Sequence, residues 1–287
     1  MGNLFKTTLL LGLLTGFLLF VGQYFGGQNG LMIALVMAGV MNFVSYFFSD
    51  KIALAMYRAK PITRDQAPRL YDMTERLTQR AGLPMPKLFV IPESSPNAFA
   101  TGRNPKHSAV AVTQGLMDLL SDEEVEGVIA HELGHVRNRD ILIASVAATI
   151  AGAITFFARM AMWGAMFGGY GGRDDRDRGG GVIGQLALII LAPMAAMMIQ
   201  FAISRSREFA ADATASKITG NPYGLANALR KLDGYSRQRP LVASANTAHM
   251  FIVKPAINMG EIANLFSTHP PIPQRIERLI GKTTQFE

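Results

Sequence analysis

Apolar residues along this chain are gathered into long segments that few polar residues interrupt. Two such segments, residues 7–21 and 31–48, lie near the N-terminus, and two more cover residues 141–167 and 182–203. A helix needs about 20 predominantly apolar residues to cross the hydrocarbon core of a bilayer. The pattern therefore predicts four membrane-crossing helices, two early in the chain and two later.

Charged residues return between the second and third apolar segments, and the apolar positions there follow shorter periods. Residues 64–82 place apolar side chains at helical spacing, which predicts an amphipathic helix. Three short apolar runs at 88–91, 97–102 and 108–115 are separated by turn-forming residues and are typical of strands. This part of the chain is expected to form a small sheet, and the polar C-terminal part is expected to be mostly helical.

The alternation of apolar and polar segments divides the chain into four parts. Residues 1–49 are expected to form a two-helix membrane anchor, and residues 50–140 the first part of a polar domain. Residues 141–203 supply two further apolar helices joined by a Gly-rich loop at 170–181, and residues 204–287 complete the polar domain. Four crossings put both polar parts on one side of the membrane. Lys and Arg near the ends of the apolar segments concentrate on that side, which indicates the cytoplasm.

Composition supports the membrane assignment and narrows the chemistry. Hydrophobic residues make up 49% of the chain and charged residues only 17%, below the share of about 25% that is usual for soluble domains. The net charge of +7 suits either nucleic acid or a membrane face, but basic and aromatic residues do not alternate, so no nucleic-acid partner is expected. The chain has no cysteine, so disulfides and thiolate chemistry are excluded. Any metal must be bound by histidine and carboxylate side chains.

The segment HELGH carries the strongest chemical signal in the sequence. Ser121 and Glu124 upstream of it have the spacing of a capping box, which predicts a helix through the segment. Histidines four residues apart lie on one face of a helix, so His131 and His135 can both point a nitrogen at one Zn²⁺ ion. Glu132 lies beside them, within reach of a water molecule at the metal. The segment therefore predicts a zinc-dependent hydrolase with Glu132 as its general base.

A catalytic zinc site needs a third protein ligand and one open position. His249, His269 and several carboxylates are candidates for that ligand. The most informative stretch is SRSREFAAD, in which Glu208 and Asp212 are four residues apart and so share a helix face. Glu208 can complete a site of two histidines and one glutamate, and Asp212 can accept a hydrogen bond from the far nitrogen of a ligand histidine. An ordinary solvated helix face is the alternative explanation for this pair.

Taken together, these motifs resemble one family. HELGH followed by NRD, then SRSREFAAD and then STHPPIPQRI resembles the membrane metallopeptidases of the HtpX type. These are bacterial heat-shock proteases, related to the prenyl-protein endoproteases of eukaryotes. The resemblance covers nearly the whole chain, including the two leading apolar segments. It implies one zinc ion per chain with Glu208 as its third ligand, Glu132 as general base and Asp212 as a support for a ligand histidine.

Two further stretches match the family. His269 and Arg275 correspond to its C-terminal His-Pro and Arg, and a donor placed near the reacting carbonyl would stabilise the oxyanion. His269 is expected to do this with support from Arg275, although a turn before the last helix would also explain His269. The stretch NAFATG resembles an edge strand beside the family's active site, and an unpaired edge can bind an extended peptide through its backbone. Asn97 and Ala98 are the expected contact points.

The expected fold class is a predominantly α-helical membrane protein, with four apolar helices plus an α+β, zincin-like catalytic domain that contains a small sheet. The expected function is zinc-dependent endopeptidase cleavage of unfolded or misfolded membrane proteins near the cytoplasmic surface of the bacterial inner membrane, as part of quality control and the stress response. A catalytically silent, zinc-stabilised membrane scaffold is the alternative, and a transporter is a weaker one. The sequence leaves the physiological substrate and the oligomeric state open.

Overall fold

The fold is known here from a computed structural model that describes residues 3–147, 149–150, 205–238 and 270–281. Most of the third apolar segment, the whole of the fourth, the loop at 170–181 and His269 lie outside the described residues. In the described parts the protein is mostly helical and contains one small mixed sheet. That much of the expected fold class is confirmed.

The helices with defined bounds are α1 Asn3–Met56, α2 Pro68–Ala81, α3 Gln114–Leu119, α4 Asp122–Arg137, α5 Arg205–Thr219, α6 Pro222–Gln238 and α7 Ile272–Ile280. Residues 141–147 and 149–150 are also helical. The strands are β1 Lys60–Pro61, β2 Lys87–Ile91, β3 Ala98–Asn104 and β4 His107–Thr113.

The first element, α1, consists of two helical segments that fold back on each other. Gly27 leaves helical geometry at φ 55° and ψ −142°, a conformation that glycine adopts far more readily than other residues. Beyond the bend, Asn42 Nδ2 donates a hydrogen bond to Thr15 Oγ1 over 2.9 Å, which joins the two segments. This break lies in the uncharged, glycine-containing stretch QYFGGQNG between the first two apolar segments, whose composition predicts a tight turn.

Only part of the predicted set of membrane-crossing helices is found in the described residues. The segment Gly26–Met56 is long and apolar enough to cross a membrane, whereas Phe5–Phe20 is a shorter apolar helix. The first segment packs against the helical residues 141–147 and 149–150 through a cluster formed by Leu10, Leu14, Leu142, Ile143, Val146, Ala147 and Ile150. The start of the third apolar segment therefore lies beside the first.

The sheet has the strand order β1-β2-β4-β3, with β2 and β4 parallel and the other pairs antiparallel. Alternate residues of a strand point to opposite faces of a sheet. Ala98 and Val110 face the main core with α2, α4 and α6, whereas Phe99 and Ala111 face Leu54 at the end of α1. The sheet thus separates α1 from the catalytic helices, and β3 is its edge strand nearest α4.

The three strands predicted from short apolar runs are confirmed as β2, β3 and β4, with small shifts at their ends. The predicted strand at 108–115 ends at Thr113, because its hydroxyl accepts a hydrogen bond from the Leu116 N–H and so begins helix α3. The predicted helix at 64–82 begins at Pro68, since proline is well suited to the first turn.

Candidate metal centre

Helix α4 carries HELGH through the middle of the molecule and begins where the capping box predicts. The Ser121 N–H donates to Glu124 Oε2 over 2.8 Å, and Lys231 Nζ of α6 lies 2.7 Å from the same oxygen. The rest of the helix is enclosed by α2, α5, α6 and the sheet, so that His131 is 3% exposed and Glu132 is 5% exposed. Burial on this scale fixes the rotamers of both side chains.

Three side-chain atoms from α4 and α5 meet at one point. His131 Nε2 and His135 Nε2 are 3.2 Å apart, and the Glu208 carboxylate oxygens lie 3.7 Å from the first and 3.5 Å from the second. Ligand atoms of the three residues all lie within 4.8 Å of one another. Two imidazole nitrogens and one carboxylate oxygen in this arrangement are the donor set of a catalytic zinc site.

Glu208 reaches the histidines because α4 and α5 pack very closely. A side-chain Cβ added to Gly134 would lie 3.0 Å from the Ala211 Cα, so the glycine of HELGH leaves the space that the neighbouring helix fills. Glu208 and Asp212 flank Ala211 on that face of α5. The shared helix face that the spacing of Glu208 and Asp212 predicts is therefore the face of α5 that is turned toward His131 and His135.

A buried ion pair contacts the Nδ1 side of the His131 ring. Its Nδ1 lies 2.9 Å from Asp212 Oδ1, and Arg275 of α7 binds the same carboxylate through Nε at 2.9 Å and Nη2 at 2.6 Å. Burial raises the pKa of Asp212, but the hydrogen bonds from Arg275 and His131 outweigh it and lower the pKa to about 2. Asp212 is therefore an acceptor that fixes the Nδ1–H tautomer of His131 and leaves Nε2 for a metal.

His135 is held by a residue that sequence reasoning missed, Asp140. His135 Nδ1 lies 3.2 Å from Asp140 Oδ2. Helix α4 ends in a Schellman motif, in which the Asp140 N–H donates to the His135 oxygen and the Arg139 N–H donates to the Val136 oxygen. Arg139 has the φ of 58° that this turn requires, a position usually taken by glycine. The turn brings Asp140 back beside His135, where a hydrophobic contact is more common.

The acidic neighbours of His135 control its protonation in the metal-free protein. Burial lowers the pKa of His135, but Glu208 and Asp140 outweigh that effect and raise the pKa to about 9. Arg207 Nε lies 4.0 Å from Asp140 Oδ1 and is largely buried with it. Burial lowers the pKa of Arg207, against the attraction of Asp140 and Glu208. A metal ion at His135 would therefore displace a proton.

The charges around the site fit a divalent cation. Among the residues that the structure describes, the charged side chains buried or half-buried there are Glu132, Asp140, Glu208 and Asp212, with Arg207 and Arg275. With both histidines neutral, as metal binding requires, these four carboxylates and two guanidinium groups leave an excess of two negative charges, which is costly inside a protein unless it is paired. One ion of charge +2 at the three ligands balances this excess and satisfies the donor atoms.

Glu132 lies beside the ligands and reaches the edge of the sheet. Its Oε2 accepts a hydrogen bond from the Ala100 N–H of β3 over 2.7 Å. Burial raises the pKa of Glu132, although His131 and His135 oppose that effect. A carboxyl group with a raised pKa is suited to accept a proton and later return it near neutral pH. Glu132 thus stands between the metal ligands and the strand expected to bind substrate.

The structure brings most of the predicted site residues together. Arg275 is fully buried against Asp212, and its Nη1 lies 3.8 Å from Glu208 Oε2, so its observed contacts are with carboxylates of the site. Asn97 and Ala98 lie at the start of the edge strand, each 1% exposed. The role predicted for His269 stays a prediction. Asp140 had one available signal, a carboxylate shortly after HELGH, but its turn depends on the unusual backbone of the residue before it.

The helix-borne histidine pair, the nearby glutamate and the ligand from a later helix define a metalloprotease of the His-Glu-x-x-His kind. The model of peptidase family M48 matches residues 64–283. The chain is 58% identical over 279 residues to a protein named "Protease HtpX homolog" from Desulforapulum autotrophicum, across 97% of this chain and 90% of that one. A protein of the same name from Desulfatibacillum aliphaticivorans is 57% identical over 285 residues, across 99% and 91% of the two chains.

A crystal structure of S. mikatae Ste24p is similar at a TM-score of 0.49 and 20% identity, over 96% of this chain and 65% of that one. The chain belongs to peptidase family M48. It is a metalloprotease, and the resemblance to HtpX proteases that its motifs carry is confirmed.

Proposed function

We propose that the chain is a membrane-anchored, zinc-dependent endopeptidase that cleaves unfolded or misfolded membrane proteins near the cytoplasmic surface of a bacterial inner membrane. The observation that carries this proposal is the meeting of His131, His135 and Glu208 beside a buried Glu132 that contacts the edge of the sheet. One zinc ion per chain fits this donor set, because two imidazoles and one carboxylate leave a position open for reactants. A role in quality control and the stress response follows from the resemblance.

The chain's own residues supply the proton transfers of peptide hydrolysis. Zinc held by His131, His135 and Glu208 would supply Lewis acidity to the attacking water and to the scissile carbonyl. Glu132 takes a proton from that water and delivers it to the leaving amine. His269 is proposed to donate a hydrogen bond to the oxyanion that develops on the carbonyl.

The substrate is proposed to bind as an added strand beside β3. Asn97 pairs with β4, since its carbonyl oxygen accepts the Thr113 N–H, and in antiparallel pairs the next residues alternate in direction. The main-chain groups of Ala98 and Ala100 therefore point to the free edge, as the contact between Ala100 and Glu132 confirms. Ala98 is buried and Ala100 is half-buried. Because the Ala100 N–H already donates to Glu132, an incoming backbone would pair with the Ala100 carbonyl oxygen. Asn97 and Ala98 would border this position.

Membrane anchoring is proposed from the long second segment of α1. Gly26–Met56 is apolar, and its large side chains are exposed to the surroundings at many positions, among them Met32, Ile33, Val36, Val40 and Phe43. A helix with an exposed apolar surface of this extent requires lipid or a partner. A multi-pass topology, with 1–49 and 141–203 in the membrane and 50–140 and 204–287 forming a cytoplasmic catalytic domain, remains part of the proposal.

Proteolysis of an unfolded model substrate by detergent-purified full-length protein tests this function. Glu132→Gln keeps the size of the side chain and removes the base, so cleavage is expected to fall by about 10²–10⁴-fold. Glu123→Gln, at an exposed position of the same helix, is the matched control and should cleave like wild type. Equal cleavage by wild type and Glu132→Gln would refute the role of Glu132. Metal binding without cleavage by any variant would favour the zinc-stabilised scaffold.

A further inference from the structure

Strand β3 lies along the second segment of α1, with its far end toward the membrane-crossing part of that helix. The Phe99 and Tyr57 rings are 5.0 Å apart, and the Arg103 guanidinium lies 5.5 Å from the centre of the Phe47 ring. From Phe47 to its last residue, Met56, the helix spans about 14 Å. From Phe99 to Arg103 the strand spans about 13 Å. The two elements therefore run antiparallel side by side, and β3 descends as α1 enters the membrane.

Aromatic and basic side chains mark a boundary level on α1. Phe43 and Phe47 have ring centres 4.7 Å apart, and both are exposed. Lys51 Nζ lies 5.0 Å from the centre of the exposed Phe48 ring. Aromatic rings are enriched where the hydrocarbon meets the headgroups, and lysine extends its charge from such a level into water. The level of Phe47 and Phe48 is therefore where we place the membrane surface.

The turn that joins β3 and β4 reaches this level and is basic. It carries Arg103 and Lys106, and no acidic residue occurs anywhere from Ala98 to Thr113. Lys106 is exposed, and within the described ranges neither cation takes part in a salt bridge. Gly102 has a φ of 135°, and its Cα packs on the His107 backbone too closely for a Cβ, so the tip is a tight, defined hairpin.

We propose that this turn is a second membrane contact of the catalytic domain, in which Arg103 and Lys106 bind the headgroups of anionic phospholipids. The inference rests on the proposed anchoring of α1 in a membrane. Asp50 is the single acidic residue of α1, and the adjacent Lys51 offsets it, so the local charge remains positive. Each cation near an anionic membrane surface favours the contact by about fivefold.

Headgroup binding at the turn would set the height of the active site above the membrane. Ala100, whose N–H binds Glu132, lies three residues from Arg103, which corresponds to about 10 Å of strand. An extended substrate covers that distance with about three residues. The enzyme would therefore reach peptide bonds that emerge only a few residues from the bilayer.

The absence of cysteine makes this contact directly measurable, because any introduced cysteine is the only thiol. An environment-sensitive fluorophore is attached to the full chain at Pro105→Cys in the turn, at Val40→Cys on the exposed apolar face of α1, or at Lys217→Cys on α5. Each protein is reconstituted in phosphatidylcholine vesicles with and without phosphatidylglycerol. The Pro105→Cys label is expected to shift to the blue only with phosphatidylglycerol, and added salt should reverse the shift. The Val40→Cys label should report lipid in both vesicles, and the Lys217→Cys label water in both.

The charge requirement is tested by adding Arg103→Gln and Lys106→Gln to the Pro105→Cys protein, which should abolish the phosphatidylglycerol-dependent shift. A turn label in water while the Val40→Cys label is in lipid would overturn the headgroup contact and leave membrane anchoring intact. A shift that survives both substitutions would also overturn it. If the Val40→Cys label itself reports water, the anchoring fails and the inference fails with it.

Discussion

The two histidines of the metal site are held in opposite ways. His131 is fixed by Asp212, which accepts hydrogen bonds from Arg275. Side chains from α4, α5 and α7 therefore meet, although up to 144 residues separate them in sequence. His135 is fixed by Asp140, only five residues further along the chain. One half of the site is a product of the tertiary fold, and the other is a product of a local turn.

This difference separates what the two halves contribute. The His131 half is enclosed, with a fully buried arginine bound by two hydrogen bonds to a fully buried carboxylate, so it joins metal binding to the stability of the fold. The His135 side chain is 16% exposed, and its partner lies at the end of a helix. We therefore expect the His135 half to orient the metal ligand at little cost to folding. Substitutions in the His131 half should lower both metal affinity and the free energy of unfolding, whereas substitutions in the His135 half should mainly lower metal affinity.

Glu208 belongs to both halves and should give the largest effect on metal binding. Glu208→Gln removes the charge of the metal ligand that lies beside both His131 and His135. Metal affinity should therefore fall by more than about a hundredfold, which is the upper range for residues that only support a ligand. Competition with a chelator of known affinity measures this. Glu277→Gln, at an exposed position of α7, is the control. Unchanged affinity in Glu208→Gln would mean that another side chain, such as His249 or His269, is the third ligand.

Arg275→Met should give the largest effect on folding, because it leaves the buried Asp212 carboxylate without its cation. Breaking a buried ion pair from one side costs about 3–5 kcal/mol. Thermal unfolding of the metal-free protein in detergent measures it. Arg278→Met is the matched control on the same helix. Arg278 is exposed, and its guanidinium lies 3.7 Å from the centre of the Phe209 ring, so its loss should cost about 1 kcal/mol or less. Equal losses in the two variants would contradict the account of the His131 half.

Asp212→Asn and Asp140→Asn compare the two supporting carboxylates directly. Each should lower metal affinity by about 10–100-fold, since each orients one ligand imidazole. Only Asp212→Asn should also lower the unfolding temperature of the metal-free protein, because it removes the carboxylate that accepts both hydrogen bonds of the fully buried Arg275. If Asp140→Asn destabilises the metal-free protein as much as Asp212→Asn does, the proposed division between fold-dependent and local support is wrong.

Per pH unit, the pH dependence of metal binding should be the mildest of these effects. In the metal-free protein the pKa of His135 is raised to about 9, so below that pH a metal ion must displace a proton. Affinity should therefore rise with pH up to about 9, by at most tenfold per pH unit from this group. Asp140→Asn removes one cause of the raised pKa and should weaken the dependence between pH 7 and 9. Calorimetric titrations in buffers of different ionisation enthalpy count the displaced protons, and a count unaffected by Asp140→Asn would contradict this explanation.

The sequence was most informative where the chemistry follows a helical period. The spacing of HELGH predicted that both imidazoles share a face, and the spacing of Glu208 and Asp212 predicted the same for the carboxylates. The geometry of all four residues agrees with these predictions. The small sheet was also predictable, because its strands are apolar runs between turn residues. Periodicity suffices for such features because each depends on residues close together in the chain.

Other features depend on contacts that no local pattern contains. The salt bridge of Arg275 with Asp212 joins residues 63 positions apart and requires the packing of α7 on α5. Asp140 is near HELGH in sequence, but its position depends on the positive φ of Arg139, a conformation for which glycine or asparagine is the usual signal. The stretch QYFGGQNG predicted a tight turn between the first two apolar segments, but its several glycines do not show which one breaks the helix.

Elemental analysis of the purified full-length protein tests the central claim most directly. After incubation with zinc and removal of the free ion, wild type should retain about one zinc per chain, as a site with three protein ligands requires. Glu132→Gln should retain the same amount, because the base is not a ligand, and a variant with both His131→Ala and His135→Ala should retain none. Zinc absent from wild type, or retained equally without the two histidines, would contradict the site described here.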